Sequence, residues 1–318
     1  MRIQLKPPKH LSKTIFFFFA FWVVGLIGMM RCAAAQIAFM SGDPEYPDIY
    51  VVDPEGKNIK PLTRTPKLYD GEPTWSPDGK QITFVRAGDF FEIYVMTLSE
   101  GTPINLTQHP AHHGGPVWSP DGRRIAFSSQ RGEEIDIYLI NTDGTNEIRL
   151  TDHPRPDWNP EWSPDGTQIA FESTRIFGSD IFVMNADGTN VRRITDAPEW
   201  DTEPAWSPDG TQIAFASYRN HIFDIYVVNV DGEDETNLTN SKSHDKHPTW
   251  SPDGTQIAYE SERVGIYGIY VMNSDGSGVV GIAEDLKAAW TPAWVPKPLT
   301  VSAKGKLSTL WARIKIRE

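Results

Sequence analysis

Six histidines, His109, His112, His113, His153, His244 and His247, fall in short loops beside regularly spaced acids and arginines. Imidazoles grouped with an oxygen donor such as Asp245 can hold a transition metal. His109-Pro110 and His153-Pro154, however, have the form of turn residues, so neither a metal nor another cofactor is expected. A second series has clearer spacing. Asp70, His113, Asp157, Asp201, Asp245 and Ala289 each stand five residues before a recurring tryptophan. Arg131, Arg175, Arg219 and Arg263 recur ahead of another repeated run, with Arg86 nearly aligned and Asp43 in the first unit. Such residues can form a ring of arginine–carboxylate pairs around one opening. Exposed pairs of this kind staple loops at about 0–1 kcal/mol each, or they capture a charged group of a partner. The same loops carry Tyr69, Trp158, Trp200 and Trp290, which either present a rim for protein, peptide or sugar or cap the cores beneath.

Other chemistry is excluded by context. Gly276-Ser277-Gly278-Val279-Val280-Gly281 spells a dinucleotide fingerprint but sits in a hairpin pattern with no helix to receive a pyrophosphate. There is no G-x-S-x-G nucleophile elbow. A single cysteine, Cys32, allows no internal disulfide and no cysteine zinc site. The 30 basic and 42 acidic residues give a net charge of −12, which repels a nucleic-acid backbone.

The elements that must position these residues are repeats. WSPDG occurs at Trp75–Gly79, Trp118–Gly122, Trp162–Gly166, Trp206–Gly210 and Trp250–Gly254, with a worn copy, WVP, at Trp294. Each tryptophan has a proline two residues earlier, from Pro73 to Pro292. A short apolar run such as QIAF follows, then a second such as DIYVMN, then a Gly-containing turn and a terminal Leu-Thr or Ile-Thr. Runs this short, rich in Ile, Val, Phe and Tyr and bounded by Asp-Gly, read as strands joined by tight turns. Four strands per unit in six units predict an all-β, six-bladed β-propeller. The first unit lacks its tryptophan strand and the last lacks the other three. Pairing the strand at Trp294 with the run at Gln36 completes one blade and removes an open sheet edge.

The organisation expected is therefore residues 1–35, the propeller 36–296, and a tail 297–318. A basic stretch, an unbroken apolar run from Ile15 to Met30 and Ala33-Ala34-Ala35 have the form of a secretory signal cut before Gln36. An uncleaved anchor over residues 15–30 is the alternative, and would be the chain's only membrane contact. Either way the propeller is exported. The tail carries six basic residues against Glu318.

The pattern WSPDG-xx-IAF…DIYVMN-x-DG…LT resembles the TolB-type, WD40-like propeller repeat across nearly all of 36–296. That resemblance implies a periplasmic or otherwise exported binding platform rather than a particular reaction. It also implies an envelope protein or peptide as partner, for instance a peptidoglycan-associated lipoprotein. The α/β domain that precedes the propeller in TolB has no counterpart between the apolar run and the first blade. The expected function is thus a monomeric, non-catalytic protein- or peptide-binding scaffold. The alternatives are a channel-centred metal-dependent hydrolase or lactonase-like enzyme, and a carbohydrate-binding module.

Overall fold

Why these runs become strands is visible in what closes each one. In the Trp75–Gly79 turn, Asp78 Oδ1 accepts the Ser76 hydroxyl at 2.8 Å and the Lys80 amide at 3.1 Å, while Ser76 Oγ accepts the Gln81 amide at 2.9 Å. Gly79 takes φ 68°, where a side chain would be strained, and its amide returns to the Ser76 carbonyl. The recurring Thr closes the other end. Thr63, Thr107, Thr151, Thr195 and Thr239 accept the amides of Ile49, Ile93, Ile137, Ile181 and Ile225 at 2.9–3.2 Å.

The computed structural model describes residues 36–263, 265–282, 286 and 288–296. Expectations for residues 1–35 and 297–318 lie outside them. The strands form six four-stranded antiparallel sheets. One blade, for example, runs from the innermost strand Asp157–Trp162 through Gln168–Ser173 and Asp180–Asn185 to a short outer strand at Arg192–Arg193. Five blades are continuous in sequence. The sixth joins Ala289–Trp294 to Ile37–Asp43, with Ile37 opposite Trp294 and Ser41 opposite Ala289. The Val295 amide donates to the Gln36 carbonyl at 2.7 Å, extending that seam. The six innermost strands neighbour one another in a complete circle, so the ring is closed as the repeat phase predicts.

The core lies between blades. Six apolar clusters fill the gaps, each built around one repeat tryptophan. Trp162 sits with Ala126, Ile137 and Leu139 of the preceding blade and with Ile169 and Phe171 of its own. All six repeat tryptophans are buried. Trp294 is buried only because the two ends of the chain meet. Trp294→Ala should therefore lower the stability by about 3–5 kcal/mol, as for any core aromatic, and as much as Trp162→Ala. A chemical-denaturation series on both variants checks this; a much smaller loss at Trp294 would mean an open arc.

Candidate functional site

Proline inside an innermost strand has no N–H for the ladder. The chain responds with a bulge in all six blades. Glu72 and Pro73 together face the single residue Phe84, and the same register shift recurs in the other five. The residue before each proline takes the left-handed conformation: Glu72 (φ 51°), Gly115 (57°), Asn159 (50°), Glu203 (58°), His247 (50°) and Thr291 (49°). For the five that are not glycine this costs roughly 1–3 kcal/mol each. The six residues form a belt lining a central channel with a cavity of about 1000 Å³.

The turned-out amides are held largely by the preceding blade. Gly115 N–H donates to Glu72 Oε2 at 2.6 Å, and His247 N–H donates to Glu203 Oε2 at 2.7 Å. Asn159 N–H reaches Ser128 Oγ, and Thr291 N–H reaches Glu260 Oε2. The His247 ring lies between two carboxylates, 3.2 Å from Glu203 Oε1 and 3.1 Å from Glu260 Oε2. Burial opposes its charged form, but Glu203 and Glu260 outweigh that and push His247 up to about 9. Burial also raises the carboxyls: Glu161 to about 8, and Glu172 to about 7 against the opposing hydrogen bonds from Ser179 and Asn159. The channel thus offers one imidazolium among several carboxyl groups, some of which retain their protons near neutrality. Among the described residues no group of three or more His, Cys, Asp or Glu side chains is arranged to hold a metal ion.

The residues singled out by spacing lie nearby but mostly below the surface. Asp70, Asp157, Asp201 and Asp245 are fully buried, and His113 is nearly so. Their pairs join strands of the same blade. Arg86 holds Asp70 through two bonds, at 2.6 and 2.8 Å, and Arg175 holds Asp157 at 2.7 Å. Arg219 stands 3.8 Å from Asp201 and pairs with Glu235 at 2.5 Å. Burial raises Asp201 to about 6, against the Ser217 hydroxyl bond. In the blade where histidine replaces the acid, Arg131 turns to Glu147, and burial with the Arg131 charge pulls His113 down to about 4. Asp245 takes the Ser241 hydroxyl, while Arg263 lies over the Tyr270 ring at 3.8 Å. The expected ring of pairs at the opening is therefore a set of struts within blades. Long arginines fold back onto the adjacent buried acid and aromatic rings, because a buried carboxylate demands a partner.

Of the loop aromatics, Trp200 is 55% exposed, whereas Trp158 and Trp290 are half-buried. Trp290 and Tyr69 line the channel. His112 and His244 accept the Phe91 and Phe223 amides, each at 3.3 Å, and so serve as loop braces. The belt was not found by the fixed spacing of five. Its signal is the residue three before each tryptophan, which varies as Glu, Gly, Asn, Glu, His and Thr while Pro and Trp beside it stay constant.

Comparison with known proteins completes the site's context. The sequence profile of the TolB beta propeller domain matches residues 88–203 and again 196–306. The chain is similar to TolB from Acinetobacter baumannii, with a TM-score of 0.75 at 21% identity over 92% of this chain and 74% of that one. It also resembles a chain in a nidogen/laminin complex (TM-score 0.70, 13% identity, 83% and 99% covered). An oligogalacturonate lyase from Vibrio parahaemolyticus is a more distant match (0.52, 16%, 78% and 72%). No curated protein matches the chain. At these identities the solved structures show the fold alone.

Two outcomes follow from the geometry. With His247 at about 9 in the fold and about 6.5 unfolded, its ion pairs stabilise below pH 6.5 and are lost as pH rises towards 9. The side chain is 35% exposed, so the loss is discounted to about 1–2 kcal/mol. Melting temperatures between pH 6.5 and 9 should fall less in His247→Gln; part of the slope remains, because Glu161 and Glu172 also lose protons that the fold favours. Separately, Asp157→Ala leaves Arg175 unpaired inside its blade and should lower stability by about 3 kcal/mol, read by denaturant titration; an unchanged midpoint would remove the strut.

Proposed function

The chain belongs to the TolB beta propeller family, and from that premise we propose that it is an exported, non-catalytic scaffold of the cell envelope. It binds a protein or peptide through the face where loops lead into the innermost strands, here called the upper face. One observation carries this reading: an exposed apolar group at the junction of two blades. Phe177 is 94% exposed, Trp200 55% and Ile176 45%. Their loops are tied together by the Asp201 amide, which donates to the Ser179 carbonyl at 2.7 Å, so the group is presented on fixed backbone. Large rings held open to solvent at the cost of their hydration are what binding hot spots are made of.

The surroundings define the partner's chemistry. A hollow of about 440 Å³ lined by Asp196, Glu199 and Glu235, with Arg219 already paired, adjoins the group. The channel adds Glu203, already paired with His247, and Glu72 and Glu161, whose carboxyls burial pushes up, so the hollow carries the free negative charge. A segment presenting apolar side chains flanked by lysine or arginine fits the apolar group and the hollow. The buried pairs at Asp70, Asp157 and Asp201, with His113, Asp245, Arg131, Arg175 and Arg263, serve this surface by holding its loops; Trp158, Trp200 and Trp290 supply its rings. The similarity to TolB supports an envelope protein such as a peptidoglycan-associated lipoprotein as the partner, and a periplasmic setting.

The test is capture from envelope extract, with bound protein identified by mass spectrometry and its affinity then measured with purified partner. Phe177→Ser combined with Trp200→Ala should weaken binding at least tenfold with an unchanged melting temperature. Unaltered affinity in that double variant would overturn the assignment of the surface.

A further inference from the structure

Among the described residues, sixteen buried side-chain nitrogen and oxygen atoms have no hydrogen-bond partner, and five of them share one corner of the molecule. They are His109 Nδ1, both ring nitrogens of His113, Ser129 Oγ and Arg131 Nε. His113 opens the innermost strand His113–Trp118, is 3% exposed and pairs across the ladder with Ser129. A tight turn, closed by the Ala111 amide on the His109 carbonyl at 2.7 Å, precedes it. The His109 and His113 rings then stand 6.1 Å apart, centroid to centroid. Neither histidine lines the channel.

The other blades show what has been replaced. Ser241 stands four residues before the strand acid Asp245 and donates its hydroxyl to it at 2.9 Å; His109 stands four residues before His113. Arg175 and Arg219 donate from Nε to Ser173 and Ser217, each at 2.9 Å. Arg131 instead gives its other nitrogens to Glu147, and Ser129 is left alone. A hydroxyl–acid pair has thus become two imidazoles whose buried nitrogens satisfy nothing in the chain. Polar groups buried in that way are costly unless something fills the space between them.

The ring spacing selects the occupant. A direct N–H···N bond of about 3.0 Å, with each nitrogen about 1.1 Å from its ring centroid, holds centroids within about 5.2 Å. Nitrogen–metal bonds of about 2.0 Å put them about 5 Å apart at a tetrahedral angle and about 6.2 Å apart when the ligands oppose each other across the ion. The observed 6.1 Å fits the last arrangement. Two ligands in line suit a monovalent d10 ion, whereas divalent zinc, nickel and copper take further ligands, and no trio of such side chains is arranged here. Arg131 also opposes positive charge on His113, which weighs against a dication.

We propose that His109 and His113 form a two-coordinate site for Cu(I), bound by His109 Nδ1 and one ring nitrogen of His113. The His109 carbonyl lies close enough to favour an N–H on the His113 ring, the support that fixes the tautomer of metal-bound histidines. His109 is only half-buried and gives the ion its way in. This inference stands independently of the surface assigned to a partner.

Anaerobic titration of the full chain carrying Cys32→Ser with Cu(I), in competition with a chromophoric Cu(I) chelator, tests it; the substitution removes the chain's one thiol. One equivalent should bind, with an X-ray absorption spectrum showing two nitrogen neighbours and the pre-edge feature of linear Cu(I). His113→Asp restores the acid of the neighbouring blades, and His109→Ser beside it reproduces the Ser241–Asp245 pair, so both variants keep the fold. Each should weaken Cu(I) binding at least about tenfold, the smallest loss expected when even a supporting group is removed, while His153→Gln leaves it unchanged. Ag(I), a redox-inert analogue, should raise the melting temperature of the parent and not of the double variant. Sulfur neighbours or three or more ligands in the spectrum, no stoichiometric binding, or undiminished affinity in the double variant would overturn the proposal.

Discussion

A proline placed within each innermost strand governs the centre of this molecule. Because it cannot donate to the ladder, the strand must bulge there, and the bulge throws the preceding residue into the left-handed region. The freed amide then needs an acceptor, and five of the six find one in the preceding blade: Met40 Sδ for Glu72, Glu72 for Gly115, Ser128 for Asn159, Glu203 for His247 and Glu260 for Thr291. One backbone requirement thus supplies the residues lining the channel and several of the pins between blades. Strain at these positions persists because apolar packing on both sides of every blade over-determines it.

Polar groups in the body of the ring follow the same economy. Each buried acid near the top of an innermost strand is answered within its own blade, by arginine at Asp70 and Asp157 and by hydroxyls at Asp201 and Asp245. Where histidine takes the position, the arginine finds Glu147 instead and His113 stays neutral. The contacts differ from blade to blade while the strands around them remain alike. That is the pattern of a framework that tolerates local change at its loops.

The likeness to TolB, to a nidogen/laminin chain and to an oligogalacturonate lyase illustrates how little a propeller says about function. What this chain offers a partner is local: Phe177 and Trp200 open to solvent above, a carboxyl-rich channel that holds the His247 imidazole, and a ring of turn aspartates below. Binding at loops and rims is compatible with every one of these features, since none disturbs the cores between blades.

Much of the architecture was legible in the chain itself. WSPDG is a hairpin signal with a local mechanism, because Ser and Asp cap the turn and glycine accepts its φ; five copies and a worn sixth, in the phase observed, point to a circle sewn from both ends. The order of the short apolar runs, the terminal threonine and the burial of the repeat tryptophans are likewise local or periodic properties. The site was less legible. Asp157 and Arg175 were found together by spacing, but whether they meet at an opening or inside a blade depends on where the guanidinium folds, which sequence distance does not encode. The belt of Glu72, Asn159, Glu203, His247 and Thr291 depends on a bulge that reverses the side-chain alternation of a strand. It also depends on ring closure bringing residues up to 219 positions apart around one axis. Periodicity fixes which element a residue belongs to; only packing in three dimensions decides what it faces.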